Sequence, residues 1–237
     1  MSERTVMHDA IVLAGGRARR RGGDKPNVRV AGRRLLDHVL EATTAARRVV
    51  VVGPDDLLAA DPLPTDPLGH DPLARGSRVT LAREDPPFGG PVAGLAAGLA
   101  RLAGTDAAAG SQDASPAAVL LLACDVPYAP RLVPALLAAW QATRGEEPPT
   151  DGVCVEADGR AQWLVGVYDP AALRRALAHL AASRPLDGAS MRQLVGHLVL
   201  RTIPDPKDLS ADVDTWHDVE RIDSRFAEET RDDRTPR

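Results

Sequence analysis

Short apolar runs alternate with stretches of helical periodicity along most of the chain. The runs Ala10–Leu13, Val49–Val52, Val79–Ala82, Ala118–Ala123, Gly152–Val155, Leu164–Tyr168 and Leu198–Ile203 predict strands. Between them the spacing predicts helices over Leu35–Ala46, Val92–Leu102, Arg131–Thr143, Ala171–Ala182 and Met191–Gly196. Val49–Val52 and Ala118–Ala123 are apolar at every position, as expected of strands covered on both faces of a largely parallel sheet. The alternation predicts an α/β fold: a three-layer α/β/α, Rossmann-like arrangement with right-handed crossovers.

Three stretches break the pattern. Asp55–Ser77 is rich in Pro, Asp and Gly and reads as a long surface loop. Gly104–Pro116, built from Ala, Gly, Ser and Asp, reads as a flexible insertion after a helix. The charged segment Phe226–Arg237 reads as a disordered tail, which leaves residues 1–225 as one domain.

Composition narrows the function class. The chain is 44% hydrophobic but only 3% aromatic, so Leu, Val and Ala carry the packing. A net charge of −4 argues against a nucleic-acid partner, which favours a basic domain. Cys124 and Cys154 lack metal-ligand spacing and read as buried free thiols. The first residues are polar, and no apolar run approaches the roughly 20 residues of a membrane span, so the expected setting is the cytoplasm, without a membrane.

Four segments carry candidate chemistry. In the first, the strand Ala10–Leu13 runs into Ala14-Gly15-Gly16, then into four arginines within five residues (Arg17, Arg19, Arg20 and Arg21), and then into Lys25. Glycines let a backbone approach a ligand that a Cβ would push away, and successive N–H groups can cradle an anion. Arg and Lys then neutralise phosphate charge. Neither a P-loop nor G-x-G-x-x-G is present, because Lys25 lies between Asp24 and Pro26 and Gly15-Gly16 is followed by Arg17-Ala18-Arg19-Arg20. In the second, an apolar strand ends at Asp125 and a turn-forming Pro127. That places a carboxylate at the sheet edge where ligands of open α/β sheets bind. It could hold Mg²⁺ or cap the next helix. The third, Glu84 to Leu95, leaves a strand through Gly89 and Gly90 and enters a helix at Pro91. An ordinary helix start explains it equally well. In the fourth, Ala211 to Val219, Thr215 or Asp214 can cap a following helix.

The first segment resembles Leu-Ala-Gly-Gly-x-(Ser/Ala)-x-Arg-Met-Gly-x-Asp-Lys, the signature of a nucleotidyltransferase family that includes the molybdenum cofactor guanylyltransferases. It departs at Arg21, where that family usually carries Met. Cys124-Asp125-Val126-Pro127 is similar to the family's Cys-Asp-x-Pro, and Gly90-Pro91 with Gly94 to its Gly-Pro-x-x-Gly. Asp212 to Asp218 resembles its late acidic motif, with Trp216 in place of proline, and Gln162-Trp163-Leu164 its Gln-Pro-Leu. The resemblance implies a sheet of the nucleotidyltransferase, glycosyltransferase-A-like type, with a nucleotide half near 8–150 and an acceptor half near 151–225. It implies transfer of GMP from GTP to the phosphate of molybdopterin, with release of pyrophosphate. Cytidylyl transfer, another phosphorylated acceptor or a non-catalytic nucleotide-binding relative are its alternatives. Catalysis would fall to Arg20, Lys25 and Asp125. Nucleotide contacts would come from Leu13, Ala14, Gly15, Gly16, Lys25, Glu84, Asp85, Gly90, Pro91, Gly94 and Asp125. Asp125 and Asp214 would hold Mg²⁺, or Mn²⁺ in its place, and Gln162, Asp212 and Asp214 would meet the acceptor. Enzymes that deliver or receive the cofactor are the implied protein partners.

Overall fold

The computed structural model describes residues 6–15, 25–58, 78–109 and 118–232. In chain order these form β1 (His8–Leu13), a 3-10 turn (Lys25–Asn27), β2 (Arg29–Val30), β3 (Arg33–Arg34), α1 (Leu35–Ala42), β4 (Val49–Val52) and β5 (Val79–Ala82). Then follow α2 (Pro91–Ala109), β6 (Ala118–Ala123), α3 (Ala129–Ala142), β7 (Gly152–Ala157), β8 (Arg160–Tyr168), α4 (Pro170–Ser183), α5 (Met191–Val195), β9 (Leu200–Pro204) and α6 (Trp216–Asp232). Seven strands make one mostly parallel sheet in the order β5-β4-β1-β6-β8-β7-β9. The strands β5, β4, β1 and β6 run parallel. β8 is antiparallel to both neighbours, and β9 is parallel to β7.

The unbroken apolar strands are explained by helices on both faces. Ala10 and Val12 of β1 face one layer, where α1 and α3 supply Leu36, Val39, Leu132 and Leu136. Ile11 and Leu13 face the other, where α2, α4 and α5 supply Leu95, Leu99, Leu173 and Leu194. Period-two alternation thus feeds two separate cores from one strand. Gly98 brings α2 close to the sheet, since a Cβ there would lie 2.8 Å from Ile11 Cγ2.

Several predicted boundaries move. The helix expected over 92–102 continues to Ala109 as α2, so the first part of the expected insertion at 104–116 is helical. Alanine, the strongest helix former, carries it without large apolar residues to mark the period. The helix expected to reach Ala46 stops at Ala42. The disordered tail expected from Phe226 is corrected by α6, which runs to Asp232. Val219 and Ile222 are buried with Val30, Leu35 and Tyr128, and Phe226 packs against them. Its ring stacks on Tyr128 at 4.5 Å, and Glu229 accepts both terminal nitrogens of Arg131 at 2.6 and 2.7 Å. Packing, rather than composition, orders this segment. The short β2–β3 hairpin, tied to α6 by Ala31 N–H donating to Asp223 (2.6 Å), carries no sequence signal of its own. Most of the loop expected over 55–77 lies outside the described residues. Both cysteines are buried and free. No described helix is long and apolar enough to cross a membrane.

Candidate active site

Hydrogen bonds knit together the carboxyl ends of β5, β4, β1 and β6. Gly53 N–H donates to Ala82, Ala14 N–H to Val52 and Cys124 N–H to Leu13, at 3.0, 2.8 and 3.0 Å. These bonds carry the ladder past the strand ends, so each following loop starts from a fixed point. Leu13 and Ala14 are buried, which leaves only their backbone for a ligand. Gly15 is exposed beyond them, while Gly16 and Arg20 lie outside the described residues.

Two arrangements occupy this edge. On the β4–β5 side, Gly15, Gly53, Pro54, Arg83, Glu84, Pro87 and Phe88 line an open recess. Glu84 enters it between Gly15 and Gly94, within ordinary van der Waals contact of where a Cβ on either would stand. A Cβ on Gly15 would lie 3.5 Å from Glu84 Oε1, and one on Gly94 3.4 Å from Oε2. Phe88 N–H donates to Glu84 Oε1 at 2.8 Å. Burial raises the Glu84 pKa, and Asp187 adds to the rise, against the backbone N–H groups of Phe88 and Gly89 that favour the charge. Asp85, the neighbouring candidate, is exposed and does not line the recess. Pro91 opens α2 beside it, after Gly90 at φ 90°.

On the β6 side, Asp125 follows the strand closely. Lys25 Nζ lies 2.6 Å from Asp125 Oδ2 and 2.5 Å from Asp214 Oδ1. Lys25 and Asp125 are 21% and 18% exposed and Asp214 is 59% exposed, so the cluster opens toward solvent through Asp214. Asp212 completes it, with one oxygen from each of the three carboxylates lying within 4.8 Å of the others. Val213 N–H donates to the Asp125 carbonyl at 3.1 Å and docks this segment onto the end of β6. Burial works against the charge on Lys25, but Asp125 and Asp214 outweigh it and raise its pKa. Burial also raises the Asp212 pKa, followed by repulsion from Asp125 and Asp214. Hard carboxylate oxygens held this close fit a divalent cation such as Mg²⁺. The ammonium of Lys25 demonstrates that the seat takes positive charge.

Asp214 is itself positioned. Asp218 accepts from the backbone N–H groups of Asp214 and Thr215 at 3.2 and 2.7 Å, and Thr215 caps α6 by accepting from Asp218 N–H at 3.2 Å. This is a reciprocal capping box, legible as Thr-x-x-Asp, yet the orienting role of Asp218 was missed in the sequence. The orientation of Phe88 into the recess also had no sequence signal. Gln162 lies on the part of β8 that runs past its last pairing with β6, Leu122 with Val165, and its amide donates to the Arg160 carbonyl at 3.4 Å. Burial pushes up the pKa of Cys124, so the thiol beside Asp125 stays protonated and is no nucleophile.

The signature of the MobA-like NTP transferase domain matches residues 10–201. The chain is 30% identical to a molybdenum cofactor guanylyltransferase of Bradyrhizobium sp. (strain ORS 278), with 98% of this chain and 99% of that protein aligned. It is 31% identical to a molybdenum cofactor guanylyltransferase of Shewanella sp. (strain ANA-3) over 76% and 78% of the two chains. Among solved structures, molybdopterin-guanine dinucleotide biosynthesis protein A from Archaeoglobus fulgidus superposes with a TM-score of 0.62 at 19% identity, covering 94% of this chain and all of that one. The 2-C-methyl-D-erythritol 4-phosphate cytidylyltransferase of Thermus thermophilus shares the fold, with a TM-score of 0.56 at 18% identity, covering 92% and 98% of the two chains.

Proposed function

The chain belongs to the MobA-like NTP transferase family and is a nucleotidyltransferase, and on that premise we propose that it moves GMP from GTP to molybdopterin. An oxygen of the acceptor's terminal phosphate attacks the α-phosphorus of GTP. The bond from that phosphorus to the bridging oxygen breaks, and pyrophosphate leaves with the electron pair. The attacking phosphate is already anionic, so no base need take a proton, and the work is positioning and charge neutralisation.

One observation carries the reading. Lys25 bridges Asp125 and Asp214 at the sheet edge, with Asp212 alongside and the Glu84 recess under Gly15 on the other side of the same edge. Asp125, with Asp214 and Asp212, would hold Mg²⁺, which offsets the negative charge of the phosphate oxygens when bound. Lys25, positively charged throughout the working pH range, meets the same phosphates and neutralises charge on the leaving pyrophosphate. Gly15 and Gly16 offer backbone N–H donors, and Arg20 adds positive charge to this loop. Glu84 faces the base, where a carboxylate can accept the two adjacent N–H donors of guanine. Gly90, Pro91 and Gly94 shape that side. Gln162, Asp212 and Asp214 border the acceptor, and no nucleic acid or membrane takes part.

Incubating the purified protein with GTP, molybdopterin and Mg²⁺ tests the proposal. The expected result is equal amounts of pyrophosphate and guanylylated molybdopterin by mass spectrometry. Turnover with CTP and a different acceptor phosphate, and none with molybdopterin, overturns it.

A further inference from the structure

We propose that Phe88 is the stacking platform for the nucleotide base, a contact on this chain's own recess that adds to the edge-reading carboxylate beside it. The inference rests on the nucleotidyl-transfer reading above. Phe88 lines the recess with Gly15, Gly53 and Glu84 and is 53% exposed, in a chain with only two phenylalanines. Its φ is 66°, in the left-handed region that a bulky side chain adopts at an energetic cost. Such strain persists only where the surroundings fix it, and two anchors do so here. Phe88 N–H donates to Glu84 Oε1 at 2.8 Å, and the carbonyl of the next residue, Gly89, accepts from Gly188 N–H at 2.7 Å. Gly89 is itself confined, since a Cβ there would lie 2.9 Å from Ala93 Cβ. The backbone that carries the ring beside the carboxylate is therefore held in one conformation.

That relation suits a flat, heteroaromatic ligand with hydrogen-bond donors on its edge. The ring offers a face to a purine or pyrimidine, and Glu84 accepts from the edge. Stacking is indifferent to base identity because every base has a π-face, so Phe88 supplies affinity while Glu84 supplies choice. Pre-organisation of this backbone by the two anchors lowers the ordering cost of binding.

The test compares Phe88→Ala, Phe88→Leu and Phe88→Trp with wild type, by calorimetry with GTP, CTP and inorganic tripolyphosphate in Mg²⁺, and by thermal melting. Phe88→Ala and Phe88→Leu should bind the preferred nucleotide about tenfold more weakly and leave tripolyphosphate affinity unchanged. The melting temperature should hold or rise, because the variants remove no packing from the core. Phe88→Trp should restore nucleotide affinity, and KM should change more than kcat. Unchanged nucleotide affinity in Phe88→Ala, or equal weakening of nucleotide and tripolyphosphate, overturns the proposal. If wild type prefers CTP, the guanylyl reading fails while stacking is still tested on CTP. If it binds no nucleotide, both fail.

Discussion

Two aspartates at opposite ends of the β1–β6 strand pair each hold positive charge. Asp9 on β1, paired across to Val119, is fully buried and is clamped by Arg48, with Nη2 2.5 Å from Oδ2, and by Arg47 at 3.3 Å. Asp125, just beyond the Leu13–Ala123 pairing at the other end, is partly open and held by Lys25. The arginine end also ties Arg48 Nη1 to the Leu102 carbonyl at 3.1 Å, fixing α2 against β1 and β4. The guanidinium's rigid fork suits a permanent joint, whereas a lysine's compact charge on a flexible stem can change partners. The arginine end therefore belongs to the stability of the fold and the lysine end to the proposed chemistry.

The largest expected effect is at the arginine end. Arg48→Met leaves a buried carboxylate with one partner fewer, and should cost about 3 kcal/mol of stability in a urea titration. Per folded molecule, its Mg²⁺ dependence should match wild type. A change in that dependence would break the separation of the two ends. Asp125→Asn should do the converse, lowering turnover about 100-fold, or about 2.7 kcal/mol of barrier, with the urea midpoint nearly unmoved. Lys25→Ala should lower turnover at least tenfold, about 1.4 kcal/mol. Because its removal leaves Asp125, Asp212 and Asp214 facing one another, its melting temperature should fall in metal-free buffer and recover on adding Mg²⁺. A deficit that metal does not repair would mean that the cluster holds no cation.

Glu84 gives the smallest effect and the clearest pH signature. Its folded-state pKa is raised, chiefly by burial, so its charge is disfavoured by folding. Its ionised form lowers stability in full above that pKa, and the deficit shrinks as pH falls below it and is gone below the ordinary glutamate value. Glu84→Gln should therefore melt slightly higher than wild type at neutral pH, with the gap closing in acid. GTP affinity should follow the opposite course in wild type. It should weaken as Glu84 gains its proton, at a higher pH than an ordinary glutamate would require, and Glu84→Gln should show no such step in binding isotherms.

The sheet was more legible in the sequence than the late helix. Val49–Val52 and Ala118–Ala123 stand where their apolar runs predict, because strands buried on two faces need no contrast with polar residues, and the half-buried edge strand Val79–Ala82 also falls at its expected bounds. In α6 the buried positions Val219 and Ile222 and the packed Phe226 recur at helical spacing, but charged neighbours mask them and composition alone suggests disorder. The site was legible in parts. Lys25, Asp125 and Asp214 each sit in a segment singled out by its residues, but the contact between Lys25 and Asp214 spans 189 positions and no local pattern encodes it. The choice between Glu84 and Asp85 was likewise open, since neighbouring acids differ only in which way the loop turns them. Glu84 turns in beside Gly15 and Gly94, while Asp85 is exposed.

On the proposed reading, the carboxyl edge of the sheet is divided between a base-reading carboxylate and a cation-holding cluster. Pyrophosphate release across a Mg²⁺ titration, run with GTP and with CTP in the presence of molybdopterin, tests that division in wild type, Glu84→Gln and Asp125→Asn. The prediction is that Glu84→Gln lowers the GTP-to-CTP preference and leaves the Mg²⁺ midpoint unchanged, while Asp125→Asn abolishes the Mg²⁺ response for both nucleotides alike. A shifted Mg²⁺ midpoint in Glu84→Gln, or a wild-type Mg²⁺ curve in Asp125→Asn, would contradict it.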